Sequence, residues 1–202
     1  APTQGSAPVV QTAHAANDEP IWPTARAALA RPAPWLLAFA MMCWTLQHYA
    51  LIIWLPTFLK EQRDLGLLAT ALPSCIMVLA NVPANLIAGS LLQKGYRRSH
   101  LIAGANLVTG LCSLGIFLDG LPDLARYLLC VLLSFSGGMI PASVLSSSAH
   151  LARTPKQIGT LQGLFMQVGN LGPFLGPPAI AALVAASGLW RDALWVTGGA
   201  AI

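Results

Sequence analysis

Two long apolar runs separated by one short basic cluster constrain the fold of this chain more than any other feature. Residues 65–93 contain no charged side chain. A helix of that length, at about 1.5 Å per residue, exceeds the roughly 30 Å hydrocarbon core of a bilayer. Residues 101–118 are also free of charge and are about as long as one spanning helix needs to be. The cluster between the runs, Lys94, Arg97 and Arg98, therefore predicts a loop that joins two membrane helices.

The composition indicates the same class of protein. The chain has 202 residues, of which 55% are hydrophobic and only 9% charged, and its mean hydropathy is +0.65. Soluble domains usually carry about 25% charged residues. We therefore predict an all-α integral membrane protein within the lipid bilayer. The eleven Lys and Arg residues are distributed over short segments between apolar runs, which argues against a nucleic-acid partner.

Apolar segments divide the chain into a tail and six predicted spans. The first 33 residues contain no run long enough to cross a bilayer, and their Ala, Pro, Gln and Thr content predicts a disordered cytoplasmic linker. The predicted spans cover residues 34–59, 65–92, 100–118, 124–149, 158–187 and 193–202. The sixth is half the usual length, so we expect a truncated sixth helix. Because the chain does not start with Met, we also expect it to begin inside a longer protein.

The distribution of charge predicts how the spans are oriented. Loops rich in Lys and Arg remain in the cytoplasm. The N-terminal tail and every second loop after it carry seven cations: Arg26, Arg31, Lys94, Arg97, Arg98, Arg153 and Lys156. The remaining segments carry five of the seven acids together with four cations. We therefore predict that the linker and the basic loops are cytoplasmic.

The basic loop also contains a motif. Its residues are Gly89-Ser-Leu-Leu-Gln93-Lys94-Gly95-Tyr96-Arg97-Arg98. They resemble the cytoplasmic loop motif of the major facilitator superfamily: Gly, three residues, Asp, a basic residue, any residue, Gly and two basic residues. Gln93 occupies the Asp place and Tyr96 the second Gly place. The resemblance implies a gating loop formed by Gly89, Gln93, Lys94, Arg97 and Arg98, although an ordinary cytoplasmic loop fits the same charges.

The predicted fifth span is unusually rich in glycine and proline. Residues 163–178 contain three prolines and four glycines, together with Gln167 and Asn170. This pattern is typical of a bent span whose backbone groups face protein or a cavity. This stretch resembles the penultimate helix of major facilitator transporters, especially a bacterial subgroup related to cyanate permeases. Over residues 34–202 the resemblance implies the C-terminal half of a twelve-helix transporter in the bacterial inner membrane. Its partner would be the N-terminal six-helix half of the same protein.

Polar side chains inside the spans are the candidate substrate contacts. Trp44, Gln47 and His48 share one helical stripe of the first span, and His48 carries the only imidazole well within a span. A polar group at this depth is costly unless it faces a partner or a water-filled cavity. The candidates are Gln47, His48, Asn81, Gln167 and Asn170. Bonding between helices remains the alternative for His48 and Asn81, and close packing the alternative for Gln167 and Asn170.

These features favour a secondary transporter of a small-molecule solute that works by alternating access. No predicted span contains Asp or Glu, so the donors of Asn, Gln, Trp and His favour a small anion or a polar neutral solute. A membrane enzyme would need a nucleophile with a base, or clustered metal ligands. The four cysteines lie singly in different apolar runs, so we predict no metal site and no cofactor. An inactive half-transporter with a structural role is the other alternative.

Overall fold

The computed structural model describes residues 21–63, 67–116 and 121–188, together with Thr197 and Gly199. All regular secondary structure in these ranges is helical, which confirms the predicted all-α class. The helices are α1 (Ile21–Leu29), α2 (Pro32–Arg63), α3 (Leu67–Gln93), α4 (Arg98–Ile116), α5 (Asp123–Gly137), α6 (Met139–Leu151), α7 (Pro155–Gly169) and α8 (Leu171–Ser187).

Five segments of the described chain are long and apolar enough to span a membrane. They are Pro32–Trp54, Leu72–Gln93, Arg98–Ile116, Leu124–Leu151 and Pro155–Ser187. The fourth consists of α5 and α6 in succession, and the fifth of α7 and α8. The predicted sixth span, residues 193–202, lies outside the described residues except for Thr197 and Gly199.

Helix α2 is the centre of the bundle. It packs on α7 and α8 along one side and on α3, α5 and α6 along the others, while α4 packs on α5 and α6. One apolar cluster joins α2 to α6 and α7 through residues such as Met41, Val144 and Phe165. A second joins α2 to α3, α4 and α5 through Leu51 and Met77, among others. The first span is therefore placed to link the remaining four.

Part of the N-terminal segment is ordered, contrary to the expected disorder of residues 1–33. Residues 21–29 form α1, and Ala28 is buried in the same apolar cluster as Leu161 and Phe165 of α7. Gln157 Nε2 also donates a hydrogen bond to the Thr24 carbonyl at 3.1 Å. Composition predicted disorder because the segment has few large apolar residues, but a small residue such as Ala28 is what allows α1 to approach α7 closely. Residues 1–20 lie outside the described residues.

The basic loop begins with a glycine in the left-handed region. Gly95 has φ +88°. The Tyr96 N–H bonds the Leu91 carbonyl and the Gly95 N–H bonds the Leu92 carbonyl, both at 3.1 Å. This pair of bonds is the Schellman motif, which satisfies the last carbonyls of α3 and needs a residue without Cβ strain at Gly95. The chain therefore turns at Gly95, one position before Tyr96, which occupies the motif's second Gly place.

We expect Gly95→Ala to lower the free energy of unfolding by about 1 kcal/mol, because an L side chain is strained in the left-handed region. Thermal unfolding of the purified protein in detergent measures the change. Gly89→Ala is the matched control: Gly89 lies inside α3, and an added Cβ would meet no atom within 4 Å. A fall in stability with Gly89→Ala as large as that with Gly95→Ala would contradict the explanation from backbone conformation.

Candidate functional site

The helix of the fourth span is interrupted where α5 meets α6, a point that we call the fourth-span bend. Helix α5 ends at Gly137 and α6 begins at Met139, with Gly138 between them. Pro141 has no N–H to bond the Gly137 carbonyl, four residues earlier, and its ring would crowd that carbonyl. Proline and a glycine pair are common causes of a helix bend. The bend lies beside the polar stripe of α2 and the asparagines of α3.

Trp44 and His48 of α2 lie together at this bend. Their rings are stacked, with centroids 5.2 Å apart and planes 16° from parallel. Tyr49 approaches His48 edge-on at 5.8 Å. A Cβ added at Gly137 would overlap Trp44 Nε1. The absence of a side chain at Gly137 is therefore what lets the indole sit against the bend.

Several polar atoms at the bend are buried without a hydrogen-bond partner among the described residues. They are Trp44 Nε1, His48 Nδ1 and Ser134 Oγ. The Trp44 and His48 side chains are only 7% and 5% exposed. A buried donor left unpaired costs about 1–3 kcal/mol, so such groups call for an explanation, and binding a polar ligand is one. The indole N–H is purely a donor, and a neutral imidazole offers one donor and one acceptor.

Gln47, next to His48 in the sequence, has a different environment. Its side chain is 1% exposed. Nε2 donates to Ser113 Oγ of α4 and to the Thr197 carbonyl, each at 2.7 Å. Both amide N–H groups are thus used, and Gln47 ties the first span to α4 and to residue 197.

Asn81 of α3 joins its helix to the bend. Nδ2 donates to the Ser134 carbonyl of α5 at 3.1 Å, and Oδ1 accepts a 2.8 Å bond from Asn85. A Cβ added at Gly138 would lie 2.6 Å from the Asn81 carbonyl oxygen. Asn81 therefore makes the interhelical bond that the sequence left as an alternative. The second N–H of its Nδ2 has no hydrogen-bond partner among the described residues.

The other two predicted contacts lie on the fifth span, away from His48. Gln167 and Asn170 are exposed, and a Cβ added at Gly163 on the same face would meet nothing within 4 Å. Helix α7 ends at Gly169 and α8 begins at Leu171, so Asn170 marks a second helix interruption. The structure thus brings His48 and Asn81 to the fourth-span bend and leaves Gln167 and Asn170 on an open face.

The opposite face of the fifth span packs closely on α2. Pro173 has no N–H for the Gly169 carbonyl, and Thr45 Oγ1 donates to that carbonyl at 2.6 Å instead. A Cβ added at Gly172 would overlap Thr45 Oγ1, and one at Gly176 would lie 2.8 Å from the Leu46 carbonyl oxygen. The glycines therefore lie on two faces of the fifth span. Gly172 and Gly176 lie on the face that packs on α2, and Gly163 lies on the open face.

The predicted gating residues lie at one end of the bundle. Gln93, Lys94 and Arg97 are exposed, and Gly89 is part of α3. Arg98 is half-buried, and its Nε lies 3.4 Å from Ser146 Oγ of α6, a weak bond that links α4 to α6. We call this the basic end, since it also carries Arg26, Arg31, Arg153 and Lys156.

Trp44 was absent from the contacts predicted from sequence, although it lies on the same stripe as His48. This shared stripe is the sequence pattern from which Trp44 could have been predicted as a contact. The structure identifies Trp44 as a candidate because Gly137, on another helix, lies against its indole nitrogen.

Comparison with known proteins agrees with this architecture. The family model of the Major Facilitator Superfamily matches residues 3–177. A probable sulfoacetate transporter, SauU, of Cupriavidus necator is 25% identical over 170 residues, covering 81% of this chain. The chain spans 39% of that relative's length. This superfamily is one of transporters, not enzymes. Because this family model matches most of the chain's length, the chain belongs to the major facilitator superfamily.

Proposed function

We propose that this chain is the C-terminal six-helix half of a secondary transporter that carries a small organic anion by alternating access. The five described spans and the 39% share of a full-length relative support the assignment as a half. That relative is a probable sulfoacetate transporter, which supports a small organic acid as the solute. In this proposal the basic end faces the cytoplasm of a bacterial inner membrane, and the N-terminal half completes the pathway.

One observation carries the choice of an anion. The Trp44 indole N–H and His48 Nδ1 are buried at the fourth-span bend with no partner among the described residues. Sulfonate and carboxylate oxygens are strong acceptors, and hydrogen bonds to charged groups are worth about 1.5–3 kcal/mol. Such a solute satisfies the indole N–H and a protonated His48 nitrogen. The predicted spans contain no carboxylate that would repel it.

The predicted contacts then divide into different roles. Trp44 and His48 donate to the solute, and the second N–H of Asn81 adds a third bond. Gln47 offers only its carbonyl oxygen, since both of its N–H groups bond Ser113 and Thr197, so it contributes to packing more than to anion binding.

The open face of the fifth span completes the proposed pathway. Gln167 and Asn170 face the cavity between the two halves. The helix interruptions at Gly138 and Asn170 let the lower and upper parts of each span move separately. The loop of Gly89, Gln93, Lys94, Arg97 and Arg98 gates the basic end. Proton coupling, where present, falls to His48 or to the N-terminal half.

The solute class is tested by uptake into proteoliposomes that contain the complete protein. We expect labelled sulfoacetate to accumulate, and unlabelled small sulfonates and dicarboxylates to compete with it. A neutral amide of similar size should not compete, because it lacks the charged acceptor. Equal competition by the amide would exclude selection for an anion, and no uptake of any small acid would exclude the proposed solute class.

His48→Ala is expected to lower that uptake about tenfold or more, because one charge-assisted hydrogen bond is lost. The amount of folded protein should stay normal, as judged by size-exclusion chromatography. His150→Ala is the matched control, since His150 is exposed at the end of α6. Uptake that is equally reduced in both variants, or unchanged in His48→Ala, would return His48 to helix packing.

A further inference from the structure

Helix α1 has an inner and an outer face. Ala28 on the inner face is 1% exposed and packs in the bundle core. Trp22 and Arg26, one turn apart, occupy the outer face. Trp22 is 85% exposed and Arg26 is also exposed. An exposed tryptophan and arginine on one side of a helix that abuts membrane spans need an explanation beyond packing.

Hydrogen bonds hold α1 at the basic end in a defined orientation. Gln157, itself 4% exposed, donates to the Thr24 carbonyl at 3.1 Å. Trp35 Nε1 donates to the Leu29 carbonyl at 2.8 Å, at the end of α1. Arg31 donates to the Leu151 carbonyl at 2.7 Å, where α6 ends. The outer face of α1 is thus presented next to the starts of two membrane spans, those of α2 and α7.

The charge around that face has one sign in the part of the chain that the structure describes. Lys94, Arg97 and Arg153 are exposed at the same end. The described acidic positions, Glu61 and Asp123, lie in the last turn of α2 and the first turn of α5, at the opposite end of the bundle. Among the residues that the structure describes, the outer face of α1 is therefore part of a cationic surface.

We propose that the outer face of α1, formed by Trp22 and Arg26, binds the headgroups of anionic phospholipids in the adjacent leaflet. Tryptophan is enriched where spans meet the headgroup region, and interfacial helices combine an aromatic side chain with basic ones. Basic side chains near a membrane surface attract anionic lipids. Charge and position together favour a lipid over a protein segment as the occupant. This proposal does not depend on the transported solute.

Bromine quenching of Trp22 fluorescence tests the proposal in the complete protein. The protein is reconstituted in vesicles of one composition, a minority of phosphatidylglycerol in phosphatidylcholine. In one set the phosphatidylglycerol is brominated, and in the other an equal amount of phosphatidylcholine is. The Trp22 signal is the difference between the wild-type protein and Trp22→Phe. We expect the brominated phosphatidylglycerol to quench that signal about fivefold more efficiently.

Two substitutions of Arg26 distinguish an effect of its charge from an effect on folding. Arg26→Gln should reduce the preference for phosphatidylglycerol severalfold, while Arg26→Lys should retain it, and high salt should weaken it by screening. Both substitutions are on an exposed position, so folding is not expected to change. Equal quenching by the two lipids would refute anionic selectivity. Absence of Trp22 quenching by either lipid would show that another part of the protein covers α1, which also overturns the proposal.

Discussion

Trp44→Phe is expected to lower uptake of the anion about tenfold and to leave the free energy of unfolding nearly unchanged. The substitution keeps an aromatic ring to stack on His48 and removes the indole N–H. That N–H has no partner among the described residues, so its loss breaks no bond within them. If its role is to bind solute, transport must fall while stability does not.

Trp54→Phe is the matched control. Trp54 Nε1 donates to the Pro177 carbonyl at 3.1 Å, so the same substitution there should lower stability by about 1 kcal/mol. Uptake per folded molecule should be unaffected. Proteoliposome uptake and thermal unfolding in detergent measure the two effects. Normal uptake by Trp44→Phe would refute the proposed contact between the solute and the indole.

Gly172→Ala should lower the free energy of unfolding by about 3 kcal/mol, enough to reduce the yield of folded protein. An added Cβ would overlap Thr45 Oγ1 and the Leu46 backbone nitrogen, and would lie 2.6 Å from the Met42 carbonyl oxygen. Backbone atoms of α2 can yield only if the two helices move apart. That movement would also remove the Thr45 bond from the Gly169 carbonyl, which Pro173 leaves without a helical partner.

Gly163→Ala is the control within the same span. A Cβ there would meet no atom within 4 Å, and alanine is the better helix former by about 1 kcal/mol. Fluorescence-detected size-exclusion chromatography after heating a set of samples gives the melting temperature of each variant. Similar melting temperatures for the two variants would contradict the close crossing of α2 and α8.

The membrane class and the approximate spans were predictable because crossing a bilayer is a local property of the chain. Any run as apolar and as long as residues 65–93 must satisfy its backbone as a helix in lipid. Proline and glycine have equally local effects, since Pro141 and Pro173 remove specific backbone donors. The helix interruptions at Gly138 and Asn170 follow from this chemistry. The family resemblance seen in the glycine-rich fifth span led to the same superfamily as the later comparison.

Adjacent residues of one helix show what could not be predicted from the local sequence. Gln47 and His48 are adjacent and equally polar, yet Gln47 bonds Ser113 while His48 stacks on Trp44 beside Gly137. Asn81 is bonded across helices, whereas Gln167 and Asn170 remain exposed. Helical periodicity predicts which residues share a face, but the partner of that face depends on how the helices cross.

The sequence and its hydropathy thus accounted for the membrane helices, their interruptions and the family. Only the packed bundle decided the surroundings of the candidate site residues and the position of α1. The physical reason is how far apart in the chain the interacting residues lie. Spanning and bending depend on atoms within a few residues, such as Pro173 and the Gly169 carbonyl. The buried indole of Trp44 and the docking of Ala28 on α7 depend on small residues far away in the chain that allow helices to come close.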